Sequence, residues 1–314
     1  MTPLAQRLTD AAAGLTGQGP TPRLKALSVA RRQLLRRTDP PVRYTFAGQT
    51  LELPFSHDLP WLRAAFPGYN DNLGRIAALV AEKHPGAPAI DIGANVGDTA
   101  AALREQLSGP LLLVEGDEGV LPTLEQNARA LGDVTIVRSF LAGATDTLTG
   151  GFSSEGGTGW LSVDGGGASV PVRALADVLA DHPEFERSRL VKVDTDGLDQ
   201  EILLGALPTL ERVGPALFFE YVPDLFAQHG DGFRIFAALA DAGYDRLAIF
   251  DNLGRYLAPA RAGEEDGLLE ALHTYLVGRG VDQYYDIAAF PAADGDLALR
   301  LHQAELARAP RPAA

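Results

Sequence analysis

The chain has 314 residues, 46% of them hydrophobic and 22% charged, enough to bury a full core and unlike a disordered chain. Its 27 basic residues against 41 acidic ones give a net charge of -14, so electrostatic binding to a nucleic-acid backbone or an anionic membrane is not expected. The absence of cysteine excludes disulfides, a thiol nucleophile, an iron–sulfur cluster and a cysteine-based zinc site.

Leu24 to Arg37 reads as an amphipathic helix with a basic face, for which solvent is the plain partner and a membrane or protein surface the alternative. No run reaches the length of a membrane span and the N-terminus has no signal-peptide pattern, so a cytoplasmic location without membrane contact is expected. Val42 to Phe55 alternates around Ala47-Gly48-Gln49 and predicts a β-hairpin, and Trp61 to Lys83 predicts helix punctuated by Pro60 and Pro67. From Ala89 onward strands and helices alternate. Strands are predicted at 89–93, 111–115, 134–141, 190–194, 216–220 and 246–251, with helices near 99–106, 121–131, 174–180, 199–206 and 233–242. That order implies an α/β fold with a doubly wound parallel sheet. The glycine-rich stretch from Thr149 to Ser169 is expected to be a loop with a short hairpin. Helices are predicted again at 264–276 and 294–308, before a frayed tail. The chain thus divides into a lead-in of helix, hairpin and helix (1–87), a Rossmann-like core (88–257) and a C-terminal helical extension (258–314).

Asp91-Ile92-Gly93-Ala94-Asn95-Val96-Gly97 joins the first core strand to its helix. Glycines let the backbone pass close to a ligand and a helix start presents free N–H groups, so a nucleotide-like cofactor is expected here. Dinucleotide folds use G-x-G-x-x-G, whereas Gly93 and Gly97 are separated by Ala-Asn-Val, which disfavours a pyrophosphate. A D-x-G-x-x-x-G turn opened by an acid suits S-adenosylmethionine instead, whose ammonium and sulfonium are cationic. The next strand, Leu111-Leu112-Leu113-Val114, ends in Glu115, an acid at the right distance to bind ribose hydroxyls. Ser139-Phe140 follows the third strand, and plain core packing accounts for Phe140 there.

Val191-Lys192-Val193-Asp194-Thr195-Asp196-Gly197-Leu198-Asp199 ends a buried strand in three acids, at the sheet edge where open α/β folds bind ligands. Helix capping accounts for Asp196 or Asp199 as readily as chemistry does, and Asp194 is the hardest to explain that way. Glu220 closes the following strand in Phe218-Phe219-Glu220-Tyr221-Val222-Pro223 and is a candidate for holding a hydroxyl or taking its proton. His57 lies before the core in Pro54-Phe55-Ser56-His57-Asp58 and is a further candidate base if its loop folds over the site. Asp194, Asp196 and Glu220 have the chemistry of Mg²⁺ ligands, but nothing in their spacing calls for a metal, and none is expected.

The order D-I-G-A-N-V-G, L-V-E-G-D, L-E-Q-N, V-K-V-D-T-D-G-L-D-Q-E-I-L-L-G-A and F-F-E-Y-V-P resembles the FkbM-type family of S-adenosylmethionine-dependent methyltransferases over roughly residues 88–223. The K-x-D-x-(D/E)-G segment, Lys192 to Gly197, is its most specific part, with Asp196 where many relatives have Glu. The resemblance implies a class I methyltransferase fold and O-methylation of a sugar or secondary metabolite. Asp91, Gly93, Asn95, Gly97, Glu115, Ser139 and Phe140 would then hold the cofactor, and Asp194, Asp196, Glu220 or His57 would manage a small-molecule acceptor. The alternatives are a nicotinamide-dependent oxidoreductase and a non-catalytic binding protein that keeps the fold. Tyr284 and Tyr285 suit either a homodimer contact or core packing.

Overall fold

The computed structural model describes residues 3–155, 158–162, 168–195, 197–226, 232–263, 267–280 and 283–308. The N-terminal region forms α1 (Leu4–Ala13), α2 (Pro22–Leu35), the hairpin β1 (Pro41–Phe46) and β2 (Gln49–Pro54), then α3 (Leu59–Ala65) and α4 (Asp71–Lys83). The alternating segment begins with β3 (Ala89–Ile92), α5 (Asp98–Gln106), β4 (Leu111–Glu115), α6 (Leu121–Ala128) and β5 (Val134–Arg138). A side sheet of β6 (Phe140–Leu141), β7 (Asp146–Glu155), β8 (Thr158–Ser162) and β9 (Ala168–Arg173) interrupts it. Alternation resumes with α7 (Leu175–Asp181), β10 (Leu190–Val193), α8 (Asp199–Val213), β11 (Ala216–Tyr221), α9 (Pro223–Phe226), α10 (Arg234–Asp241) and β12 (Arg246–Asp251). The chain closes with β13 (Tyr256–Arg261), α11 (Leu268–Leu276), β14 (Tyr285–Phe290) and α12 (Gly295–Arg308).

The main sheet has eight strands in the order β13-β12-β14-β11-β10-β3-β4-β5. From β11 to β5 neighbouring strands are parallel, whereas β14 runs antiparallel to both β11 and β12. The fully apolar readings of β4 and much of β3 and β10 follow, because parallel strands are covered on both faces. Side chains alternate between those faces. Ala89, Leu111, Leu190, Ala216 and Ala288 pack with the N-terminal helices and hairpin, and Ile90, Leu112, Val191, Leu217 and Ala289 pack with α7, α8 and α10. On the first face the apolar row gives way to polar residues at the strand ends: Asp91 on β3, its register partner Lys192 on β10, Glu220 on β11, and Asp286 opposite Glu220 on β14. That polar row fixes where a site can form.

Several segments differ from the sequence reading. The helix expected over 61–83 is two, parted at Pro67-Gly68, with Asn70 in the left-handed region at φ 62°. The strand expected over 134–141 breaks at Ser139, and β6 leaves the main sheet to pair with β9. The glycine-rich stretch is mostly strand: β7 pairs with both β8 and β9, while residues 156–157 and 163–167 lie outside the described residues. Residues 258–314 supply helices and also β14, which is inserted between β12 and β11, so the sheet draws on chain beyond 257. Tyr285 is buried in the core beside it. No helix among the described residues is long and apolar enough to cross a membrane.

One buried amide ties the lead-in to the core. Asn127 on α6 accepts from Glu52 N at 2.8 Å through Oδ1 and donates through Nδ2 to Glu52 O at 2.9 Å and to Val96 O at 2.8 Å. It therefore holds β2 and the turn after β3 together. Asn127→Ala leaves three backbone groups without these partners, and we expect a loss of about 2–4 kcal/mol of stability, given that each buried unsatisfied group costs about 1–3 kcal/mol. A lower urea midpoint with an unchanged slope is the expected readout.

Candidate functional site

A cavity of about 1190 Å³ opens at the carboxyl ends of β3, β4, β10 and β11, above the roughly 300–1,000 Å³ common for a single small ligand. Its floor is the turn between β3 and α5. Gly93 has φ 75°, and a Cβ built on it would lie 1.8 Å from Asp194 O, so only glycine lets the ends of β3 and β10 approach this closely.

Beneath the turn, Lys192 is buried with its Nζ 2.7 Å from Gly93 O, 3.1 Å from Asp91 Oδ1 and 3.2 Å from Asp194 Oδ2. Burial alone would push the ammonium down, but Asp194 and Asp91 outweigh it and hold its pKa above the ordinary lysine value. Asp91 has no exposure and its Oδ2 accepts from Thr99 Oγ1 at 2.7 Å. Asp91, which the sequence suggested for the cofactor, is thus committed to other partners in this structure. Its carboxylate sits one pleat below the cavity, engaged by Lys192 and Thr99, and Asp91 does not border the open space. Gly97 is likewise off the cavity wall; with φ 87° it lets the chain turn into α5 beneath Leu124.

Gly93, Asn95, Glu115, Ser139 and Phe140 all line one end of the cavity. Glu115 Oε1 accepts from Gly116 N and Asp117 N, both at 2.8 Å, and Oε2 accepts from Asn95 N at 2.8 Å. With two acceptor sites on each oxygen, Oε2 keeps one for a ligand. Burial raises the Glu115 pKa, while the three backbone donors and Lys192 pull it back. The Phe140 ring closes over Gly116, where a Cβ would come within 2.4 Å of it. This end presents a flat apolar ring beside an acid.

The other end gathers Asp194, Glu220, His57, Tyr69, Asn72, Tyr284 and Asp286. Asp196 lies outside the described residues. His57 reaches the cavity because its loop is pinned: Arg31 on α2 donates to Phe55 O at 3.2 Å, to Ser56 O and to Asp58 Oδ1 at 2.6 Å, and Asp39 accepts from Ser56 N at 2.7 Å. The basic helix is therefore not wholly solvated. His57 Nδ1 accepts from Leu59 N at 3.3 Å, and burial pushes its pKa down, so the neutral ring carries its proton on Nε2. In that tautomer the one ring lone pair, on Nδ1, is already engaged. Asp199 lies off the cavity wall, accepting from Thr195 N at 3.1 Å and Thr195 Oγ1 at 3.0 Å; burial and Asp194 push its pKa up to about 6. Asn70 makes no side-chain cap on α4, and Asp71 pairs with Arg63 at 2.8 Å.

The family model described as "Methyltransferase FkbM domain" matches residues 91–246, the span from Asp91 through the K-x-D segment to the start of β12. Residues 91–246 form a methyltransferase FkbM domain. No functionally curated protein matches it. Solved structures similar to it include Methyltransferase FkbM from Methylobacillus flagellatus KT, at 15% identity and TM-score 0.39 over 65% of this chain and 44% of that one. The chain thus spans under half of that relative's length. Others are the O-methyltransferase TomG from Streptomyces achromogenes, in complex with SAM, at 14% identity and TM-score 0.39 over 70% and 79% of the two chains, and M. jannaschii TYW2 in complex with AdoMet, at 8% and 0.41 over 80% and 86%.

S-adenosylmethionine is the methyl donor of the family whose domain this chain carries, and the residues present fit that molecule. The cavity has room for a molecule of that size, the Gly93 turn admits close approach of backbone, Glu115 Oε2 keeps an acceptor site, and the carboxylates that line the space suit a cationic sulfonium and ammonium. Among the described residues no group of His, Asp and Glu has the geometry of a metal site. The residue that sequence reasoning missed is Asp286. It is 8% exposed, and its pKa is pushed up to about 7, chiefly by burial and by Asp194 and Asp251, against the Asn72 hydrogen bond and Lys192. A carboxyl whose folded pKa lies above its unfolded value of 3.8 contributes stability below pH 4 that is lost as pH rises through about 7. We expect Asp286→Asn to lack this loss. Between pH 5 and 8 its Tm should rise relative to that of the parent chain, by the equivalent of about 2–4 kcal/mol.

Proposed function

We propose that the protein is an O-methyltransferase that moves the methyl group of S-adenosylmethionine to a hydroxyl of an uncharged sugar or secondary metabolite. The observation that carries this reading is the two-ended cavity, with a ring and ribose-type acid at one end and carboxylates with tyrosines at the other, joined at the Gly93 turn. Phe140 would lie against the adenine, Glu115 Oε2 would accept from a ribose hydroxyl, and the backbone at Gly93 and Asn95 would border the amino-acid part. When bound, S-adenosylmethionine supplies an electrophilic methyl group on a sulfonium.

The chain's own residues align the acceptor oxygen, exclude water and take up a proton. Asp98, Asp194, Glu220 and Asp286 face the acceptor end, and the one ammonium there, on Lys192, is already balanced by Asp91 and Asp194. A field of that sign repels phosphate and carboxylate groups and suits neutral hydroxyls. An oxidoreductase reading is disfavoured by the spacing of Gly93 and Gly97.

Titration calorimetry with S-adenosylhomocysteine tests the donor site. We expect binding, weakened at least about tenfold, or 1.4 kcal/mol, in Glu115→Ala. Absence of binding heat to the unaltered chain contradicts the reading. For the acceptor, turnover of labelled S-adenosylmethionine with neutral methyl pyranosides should exceed that with the corresponding 6-phosphates by about tenfold or more in kcat/KM. Equal turnover contradicts the assignment of a neutral acceptor.

A further inference from the structure

β14 brings to the cavity a carboxylate that no motif marks. Asp286 is the second residue of this strand, which runs antiparallel to β11, so its first residues arrive where the parallel strands end. Its hydrogen bond among the described residues is from Asn72 Nδ2 to Oδ2 at 2.6 Å, and the residue lines the cavity. One oxygen is thus aimed by a buried amide, and the other is left for whatever enters.

We propose that Asp286 is the general base of the methyl transfer, taking the acceptor hydroxyl's proton on the oxygen that Asn72 does not hold. This rests on the methyltransferase reading given above. The acceptor's O–H bond breaks and the proton bonds to the Asp286 carboxylate. The electron pair left on that oxygen forms the bond to the methyl carbon, while the former carbon–sulfur pair remains on sulfur and cancels its positive charge. The proton then leaves Asp286 for solvent. Tyr69 and Tyr284 border the same space, and burial raises both of their pKa values, so both stay protonated as donors that position the acceptor.

Two of the candidates that the sequence offered fit the task less well: His57 uses Nδ1 to accept from Leu59 N, and Asp194 is held by the Lys192 ammonium. The groups that face Asp286 are Asn72 and Tyr69 from the α4 side, Lys192 and Asp194 from β10, Glu220 opposite on β11, Asp251 from β12 and Tyr284 before it. Together they leave Asp286 able to exchange a proton near neutral pH, where a base is most effective.

The test uses the full chain, methyl α-glucoside, methyl α-rhamnoside and catechol as probe acceptors, and carbon-13 NMR of labelled aspartate side chains. With the probe that turns over fastest, Asp286→Asn should lower kcat by about 10²-fold or more, the usual range for removal of a general base, and Asp286→Glu should restore part of it. The S-adenosylhomocysteine affinity should stay within about twofold. Parent kcat should rise with pH through about 7, and one aspartate resonance should titrate there and vanish in Asp286→Asn. The proposal is overturned by kcat within about threefold of the parent, by a pH rise that persists in the variant, or by an Asp286 resonance that titrates below about pH 5. A tenfold or greater loss of S-adenosylhomocysteine affinity also overturns it, by placing Asp286 in the donor site. Failure of the unaltered chain to bind S-adenosylhomocysteine would instead sink the methyltransferase reading.

Discussion

The Lys192 ammonium, buried between two carboxylates and a turn carbonyl, is the interaction on which the rest of the site depends. Lys192 and Asp91 are both taken out of water, which costs several kcal/mol per ion, and that cost is offset only when the ions meet in good geometry. Here the geometry follows from register: Lys192 and Asp91 are partners on adjacent parallel strands, and Asp194 follows two residues after Lys192, just past the end of β10. The ammonium also donates to Gly93 O, so the cluster sets the path of the turn above it. Loss of Lys192 would leave Asp91 buried beside Asp194 without a counter-charge, a situation that costs about 3–5 kcal/mol in buried pairs generally.

From that anchor the polar row runs outward across the sheet. Lys192, Glu220 and Asp286 stand on the same face as the N-terminal helices and hairpin, so the lead-in is the wall of the cavity and not an appendage. Arg31 and Asp39 fix the loop that carries His57, and Asn127 fixes the hairpin to the turn. The lead-in thus lines the end of the cavity that holds His57 and Asp286, while the motif residues of the core line the end that holds Glu115 and Phe140. Division of labour between the two ends follows from which part of the chain covers which edge of the sheet.

That Gly93, Asn95, Glu115, Ser139 and Phe140 would gather at one cavity was legible in the sequence because the signal is local. Each lies within a residue or two of a strand end, and strand ends are marked by apolar runs stopping at a polar residue. The place of Asp91 was not legible: an acid near the end of a strand looks the same in sequence whether it faces open space or a buried lysine, and here Lys192 claims it. Asp286 was missed because β14 was missed. Tyr285-Asp286-Ile287-Ala288-Ala289-Phe290 is buried on both faces, so it shows no alternation, and its alanines carry little strand propensity. β13 was hidden by Pro259, which the sheet accepts because that strand is at the edge. The pinning of His57 by Arg31 spans more than twenty positions and leaves no local pattern to read.

A crystal structure of the chain with S-adenosylhomocysteine bound tests the central claim most directly. The account predicts ligand density in the cavity with a ribose oxygen within hydrogen-bonding distance of Glu115, the adenine against Phe140, and Lys192 still seated between Asp91 and Asp194 under the Gly93 carbonyl. Density with Lys192 displaced and the ligand in contact with Asp91, or a ligand bound away from this cavity, would contradict it.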